Sequence, residues 1–420
     1  MTAVRSRTPP ITAPPRTGAG DLASFLATWS GRPTVAIIDL DQLTANIAHL
    51  RGVIGPSVRL LAVVKANGYG HGAVIVARHA LANGVDALAV ATVDEGVQLR
   101  DAGIVAEILI IGPIGANERE RAIRAGLSLV VATAGFAAGL AKEVRRIGAT
   151  PAPVHLKVDT GMHRFGCTPE DVVSVARAIV SQPALLWTGM MSHLATADDP
   201  DTTFAREQAS RFDAAVAALR TAGLDVPTQH LTNSAGTLRF PDLHRDLVRV
   251  GIALYGLRPD PAMALPSPMA PVLSIRSRVA RVSKLPAGEG VNYGQTYRAI
   301  ADESVALVPI GYADGYPRTL TGQTTMVLGG RTAPLLGRVT MDQAVVRVPE
   351  GIDVRPGDPV IIAGNGAAGG DGAPTLDDLA SFAGTIGYEL AVRLAARLPR
   401  IYIEGGRVVA VDDLTGRQAV

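Results

Sequence analysis

The sequence is almost without cysteine. Its 420 residues hold one, Cys167, which excludes an internal disulfide and any cysteine cluster for zinc or iron–sulfur. No uncharged apolar run reaches the roughly 18 residues that a membrane-spanning helix needs. Charge of one sign is also scarce. The formal net charge is +2 with no dense basic run, so nothing points to nucleic acid or an anionic membrane surface. The N-terminus, MTAVRSRTPPITAPPRTGAG, lacks the apolar core of a signal peptide. These absences fit a reducing, cytoplasmic setting. No metal site is expected either, because His155, His230 and His244 do not have a metal-ligand spacing.

What is present is enough apolar sequence, 47% of residues, to build real cores, over a length that suits two domains. Residues 1–31 read as a mostly disordered tail, with 1–20 excluded from the fold. Residues 32–265 read as one domain. After the apolar run TVAIIDL come eight more: RLLAVVK, ALAVAT, EILIIG, LSLVVAT, VHLKVDT, LLWTGMMSHL, TQHLTNS and LVRVGIALYG. Segments of helical periodicity, such as Asp94–Ala102 and Ala205–Ala222, lie between most of them. Continuous apolar strands alternating with helices imply a parallel sheet, and eight units imply a TIM-like (β/α)8 barrel. A doubly wound open sheet is the competing layout, but its Gly-rich dinucleotide fingerprint is absent after the early strands. LPSPMAP reads as a linker. Residues 266–420 then read as an antiparallel β domain of short strands split by PAGEG, LGGR and RPGD turns. GNGAAGGDGAP (364–374) reads as a mobile loop and LDDLASFAGTIGYELAVRLAARL as one or two helices.

The candidate functional residues of the first domain fall at or just past strand ends, where barrel enzymes assemble their sites. Lys65 closes the first barrel strand, in AVVKANGYGHG. Arg164 follows VHLKVDT, His193 ends LLWTGMMSHL, Asn233-Ser234 ends TQHLTNS, and Arg249 and Gly251-Ile252 fall in LVRVGIALYG. An amine at the end of an apolar strand should have a lowered pKa, and a neutral amine can condense with a carbonyl. A phosphate cradle after the last strands makes pyridoxal 5′-phosphate the candidate carbonyl partner. The alternatives are a lysine that reaches solvent at the barrel mouth or one that binds a substrate phosphate without covalent chemistry.

AVVKANGYGHG resembles the pyridoxal-phosphate signature of alanine racemases. Further motifs keep that family's order: VAIIDLDQLTANI, HLKVDTGMHRFG, SHLATAD, NSAG, RVGIALYG, VNYGQTY, IGYADGYPR, GRVTMDQ and GYEL. The resemblance spans about residue 35 to Tyr388. It implies the barrel-plus-β fold, interconversion of L- and D-alanine for peptidoglycan, and a head-to-tail homodimer whose sites combine one subunit's barrel with the other's β domain. It implies Lys65 as cofactor lysine and one acid/base, with Tyr293 from the partner subunit as the second base on the opposite face. His193 would contact that tyrosine, backed by Arg249, which would also donate to the pyridine nitrogen. Arg164 would bond the cofactor phenolic oxygen, and Lys157 matches a lysine often carbamylated in the family. Tyr69, Asn233, Ser234, Gly251, Ile252 and Tyr388 would complete the cofactor site. Met341, from the partner, and Arg164 would bind substrate; Tyr312, Arg318 and Arg338 would line the entrance. Val250 stands where the family usually has Pro, and His163 where a small residue is common.

Other residues read as structural. These are His71 in the Gly-rich loop, Asp39 as a helix N-cap beside Asp41, Asp159 and Asp314 as loop braces, and Cys167 as a packing residue. Three rival functions remain at this stage. A pyridoxal-phosphate carrier would be barrel-only. A decarboxylase of similar fold carries a cysteine motif near its C-terminal domain. A broader racemase, acting on serine, differs only in pocket volume.

Overall fold

The computed structural model describes residues 21–364 and 372–419. The disorder expected over residues 1–20 and most of the mobile loop expected over 364–374 lie outside the described residues.

Eight apolar runs become eight parallel strands. In spatial order they are Arg59–Val63, Ala87–Val90, Ile108–Ile110, Ser128–Val131, Ala152–Lys157, Leu185–Met191, Thr228–His230 and Leu247–Val250, the last pairing with the first. The remaining gap is bridged by Asp246 N–H to Gln229 O (3.1 Å) and Arg249 N–H to Thr232 O (3.1 Å), so the sheet closes into a barrel. The helices form because their apolar residues recur every three or four positions and their ends are capped. Thr203–Thr221 buries Ala205, Ala209, Phe212, Val216 and Leu219 along one face. Val93–Asp101 starts at a capping box of Thr92 and Glu95. Asp39 caps Leu40–Ile54 by accepting from Gln42 N–H at 3.0 Å, as its position in the sequence suggests.

The second sheet differs from the sequence expectation in its membership. The run TVAIIDL falls in the span 32–265 expected for the barrel, yet its strand Val35–Asp39 lies in the middle of the other sheet. There it pairs antiparallel with Leu273–Arg278 and parallel with Arg400–Glu404. An apolar strand buried on both faces looks the same in either sheet, and its partners lie hundreds of residues away. The remaining strands pair antiparallel, and Arg331–Leu336, Arg407–Asp413 and Gly416–Ala419, which alternation alone did not reveal, belong among them. The tail expected over residues 1–31 also contains a helix, Leu22–Thr28, capped by Asp21. Its Leu22, Phe25 and Leu26 pack on Val35, Ile37 and Ile401, which is reason enough for it to order. The last two helices, Leu376–Ala383 and Gly387–Arg393, bring Tyr388 up to the barrel mouth. Among the described residues no helix is long and apolar enough to cross a membrane.

Candidate active site

At the C-terminal ends of the barrel strands lies a cavity of about 640 Å³, lined by Lys65, Tyr69, Lys157, Arg164, His193, Asn233, Ser234, Arg249, Gly251, Ile252 and Tyr388. Every barrel residue singled out from the sequence as catalytic or cofactor-binding is therefore in one place. Lys65 follows directly on the strand Arg59–Val63 and its cap Val64, whose N–H bonds Ala89 O at 2.8 Å. Burial lowers the pKa of its amine, the Arg164 cation lowers it further, and Glu95 partly offsets both.

The glycine-rich loop after Lys65 is not the freely bending segment its composition suggests. Ala66, Asn67, Gly68 and Tyr69 form one left-handed turn, with φ of 51°, 54°, 62° and 50°. For residues with a side chain this costs about 1–2 kcal/mol each. Three contacts hold it. Glu95 accepts from Ala66 N–H at 2.6 Å, Asn67 Oδ1 from Ala73 N–H at 3.0 Å, and Val64 O from Gly68 N–H at 2.8 Å. The same carboxylate accepts from Ala91 N–H (2.8 Å) and Thr92 N–H (3.1 Å). Glu95 was missed in the sequence, although the capping-box spacing Thr92-Val93-Asp94-Glu95 marks it. Glu95→Ala removes the acceptor from three N–H groups and is expected to cost about 1–3 kcal/mol in a urea melt. A variant that melts like the parent would show that the turn holds itself. His71, beyond the turn, is fully buried against Tyr255, its ring centroid 4.5 Å away, and burial lowers its pKa to about 4. It is a neutral packing residue.

In the same cavity, Arg249 is buried and committed. Nη1 donates to His230 O (3.0 Å) and His230 Nδ1 (3.0 Å). Nη2 donates to Ser192 O (2.7 Å), Leu231 O (3.0 Å) and His193 Nδ1 (3.2 Å). Burial lowers its pKa only to about 9, so it stays a cation at neutral pH. Among the described residues Nε makes no hydrogen bond, leaving one N–H for whatever occupies the cavity. His193 has its pKa pushed well down by burial and by Arg249, Arg164, Lys157 and Lys65. It is neutral, and because Arg249 supplies a proton to Nδ1, its own proton sits on Nε2.

Part of the same cavity can hold an anion. Ser234 Oγ accepts from Gly251 N–H (2.9 Å) and Ala253 N–H (3.4 Å), which leaves its own proton free to donate. A methyl group at Gly251 would sit 2.6 Å from the Tyr69 hydroxyl, so the glycine is what admits that phenol. Burial raises the pKa of Tyr69 and of Tyr388, so both stay protonated donors. Asn233 lines the same region but spends its side chain capping the next helix, accepting from Gly236 N–H at 3.0 Å. Val250 is buried in the last barrel strand and extends it. Near the mouth, burial first, then Arg249 and Arg164, lower Lys157 to about 8. Asp159 braces the Arg164 loop by accepting from Gly161 N–H (2.9 Å) and His163 N–H (3.1 Å), and His163 is exposed at φ 55°. Cys167 is buried, its thiol pushed up to about 12 by burial.

Of the candidate residues from 266–420, only Tyr388 reaches this cavity. Tyr293, 76% exposed on a short turn, and Met341, 53% exposed, share a separate cleft with Tyr312, Thr340 and Gln343. The two clefts have no lining residue in common. Arg338 lies at Gly294, next to Tyr293, and accepts from Asn292 Nδ2 at its carbonyl (2.8 Å). Arg318 sits in the turn Arg318–Leu320 and lines neither cleft. Asp314, fully buried, receives Gly311 N–H at 3.0 Å and pairs with Arg32 and Arg397, bracing the segment that carries Tyr312.

A closed parallel barrel with a low-pKa amine and an anion cradle at its mouth, followed by an antiparallel domain bearing a second polar cleft, defines a two-domain barrel enzyme. Residues 38–259 match the model of the alanine racemase N-terminal domain, and residues 272–402 that of the C-terminal domain. The alanine racemase of Symbiobacterium thermophilum is 44% identical over 371 residues, covering 88% of this chain and 97% of that protein. The crystal structure of alanine racemase from Bacillus anthracis with bound L-Ala-P is 35% identical, with a TM-score of 0.85, over 91% of this chain and 98% of that one. The enzyme from D-cycloserine-producing Streptomyces lavendulae is 36% identical with a TM-score of 0.84, over 90% and 98%. The chain belongs to the alanine racemase family.

Proposed function

We propose that the protein interconverts L- and D-alanine with pyridoxal 5′-phosphate, using Lys65 and the partner subunit's Tyr293 as the two proton-transfer groups. The observation that carries this reading is the barrel-mouth constellation itself. It joins in one cavity a low-pKa lysine, an arginine with one uncommitted N–H, and a cradle of three hydroxyl donors, the groups that an aromatic aldehyde bearing a phosphate calls for. The cavity volume is in the range of cofactor pockets. Bound there, the cofactor supplies an electron sink that acidifies the α-hydrogen of the amino acid.

The chain's own groups do the rest. Tyr69, Ser234, Gly251, Ile252 and Tyr388 hold the phosphate, with Asn233 shaping the turn beneath it. Arg249 offers Nε–H to the pyridine nitrogen. As a permanent donor it leaves that nitrogen unprotonated, which tempers the sink and disfavours transamination. Arg164 binds the phenolic oxygen and the substrate. Lys65 takes or returns the proton on one face of Cα. Tyr293 does so on the other, assisted by the N–H that neutral His193 carries on Nε2. Met341 binds the substrate carboxylate through its backbone N–H, and Tyr312, Arg318 and Arg338 form the entrance. A head-to-tail homodimer, in which each barrel mouth is completed by the other chain's Tyr293 cleft, is the assembly this requires. In a bacterium the product would feed peptidoglycan synthesis from the cytoplasm.

The test is chiral analysis after separate incubation with L-alanine and D-alanine in the presence of the cofactor. Convergence of both on an equal mixture supports the reading, and serine in the same assay measures its breadth. Cofactor-loaded protein that changes neither isomer would restore the carrier or decarboxylase alternatives.

Lys157 adds a prediction. A carbamate on it would turn a cation into an anion that orients Arg164. Carbamate formation needs the neutral amine, and the lowered pKa of about 8 makes that form accessible. With labelled carbon dioxide held at constant dissolved concentration, a carbamate ¹³C resonance should grow as pH rises through about 8 and be absent from Lys157→Arg. A parent spectrum without the signal, or a signal that survives in Lys157→Arg, would exclude the modification at Lys157.

A further inference from the structure

Beneath the mouth, the barrel interior holds a polar line that the proposed chemistry does not use. It starts at Arg249 and runs downward. Arg249 Nη1 lies 3.0 Å from His230 Nδ1, and His230 Nε2 lies 2.8 Å from His155 Nδ1. His155 Nε2, buried and without a well-aligned hydrogen bond among the described residues, faces Glu107 Oε1 at an ion-pair distance of 3.3 Å. Glu107 stands just ahead of the strand Ile108–Ile110, at the rim opposite the mouth, where Arg59 Nη2 pairs with its second oxygen at 3.0 Å. His155 and His230 are both almost completely buried. Room for His155 is made by its neighbour in the ladder, Gly189, where a methyl group would stand 2.3 Å from the ring.

The donor directions along this line are forced. Arginine only donates, so His230 Nδ1 must be bare. Burial and the Arg249 charge hold His230 neutral, so its proton is on Nε2 and is given to His155. His155 Nδ1 is then bare, and its proton sits on Nε2, the ring atom beside Glu107. A carboxylate only accepts, so of the two proton directions along the line only this one suits both ends. The neighbouring His155 is the largest of the influences that hold the Glu107 carboxyl at about 2, with Arg59 adding to it, so it is ionised.

We propose that Glu107, at the opposite rim of the barrel, is a positioning residue that locks the tautomers of His155 and His230 and thereby seats Arg249 under the cofactor. What Arg249 serves rests on the function proposed above; the lock itself does not. Outer hydrogen-bond partners of this kind typically change activity by about 10- to 100-fold. Glu107→Leu should therefore lower kcat about tenfold with little change in KM for alanine, and Glu107→Gln, which keeps an acceptor, should recover most of it.

The deciding measurement is proton NMR of the ring N–H groups in ¹⁵N-histidine-labelled holoenzyme. The parent should show slowly exchanging Nε2–H signals from both rings. In Glu107→Gln the His155 signal should move upfield, because a neutral acceptor bonds less strongly than a carboxylate, while the His230 signal persists. In Glu107→Leu both should broaden or vanish. If the His155 signal does not move in Glu107→Gln, Glu107 is not its acceptor and the proposal falls. If Glu107→Leu keeps both signals in place, Arg249 alone holds the line and the proposal also falls. These signals do not depend on turnover, so a failed alanine assay and a failed lock are separate results.

Discussion

Replacing Lys65 with alanine is expected to abolish the visible absorbance of bound cofactor and to lower turnover of alanine by at least about 10⁴-fold, since it removes the covalent attachment point and one acid/base group together. The effect should be nearly all chemical. The side chain projects into the cavity, while the left-handed turn that follows it is held by Glu95, Asn67 and backbone contacts that the substitution leaves alone. Thermal melting of the cofactor-free chain should therefore change little. Absorbance and circular dichroism of the reconstituted variant check the first point and a melt checks the second. A Lys65→Ala protein that still binds the cofactor at full strength would move the anchor elsewhere, with Lys157 the next amine in the cavity.

Tyr293→Ala should show the opposite signature, with cofactor absorbance intact and racemisation reduced by about 10²–10⁴-fold, the usual weight of one general acid or base. Within one chain the tyrosine is exposed in a cleft that shares no lining residue with the Lys65 cavity, and this gives a sharper test. When Lys65→Ala and Tyr293→Ala chains are co-expressed and mix at random, half the dimers are mixed and each has one intact site. Activity should return to roughly a quarter of the parent's, as two-fold symmetry dictates. A mixture that stays inactive would mean that both residues act within one chain, and the shared-site dimer would be wrong.

Much of this was legible in the sequence, for identifiable reasons. The barrel showed because most of its strands are continuous apolar runs, buried on both faces, that alternate with helices; Thr228–His230, polar and half-buried, is the exception. The barrel-mouth residues showed because they fall at strand ends. Val35–Asp39 misled for the same reason that the barrel strands were easy: burial on two faces carries no information about which sheet does the burying. His155 and His230 read as bland because a buried imidazole is recognisable only by its partner, and theirs come from different strands. Glu95 hid behind its role as a helix cap. Tyr293 showed only through resemblance, since an exposed tyrosine on a turn has no chemistry until something faces it.

The position of Val35–Asp39 also says how the two halves are wired. It lies antiparallel against Leu273–Arg278, with Ile38 opposite Leu273, and Asp39 N–H bonds Val272 O at 2.9 Å. Those two strands form a hairpin in every respect except its loop, and the loop is the whole barrel, residues 40–271. Closing a longer loop costs only logarithmically more entropy, so the sheet tolerates so large an excursion. The barrel leaves and re-enters through one gate with its ends side by side. In topology it is therefore an insert, although its side chains share one continuous core with the sheet it interrupts.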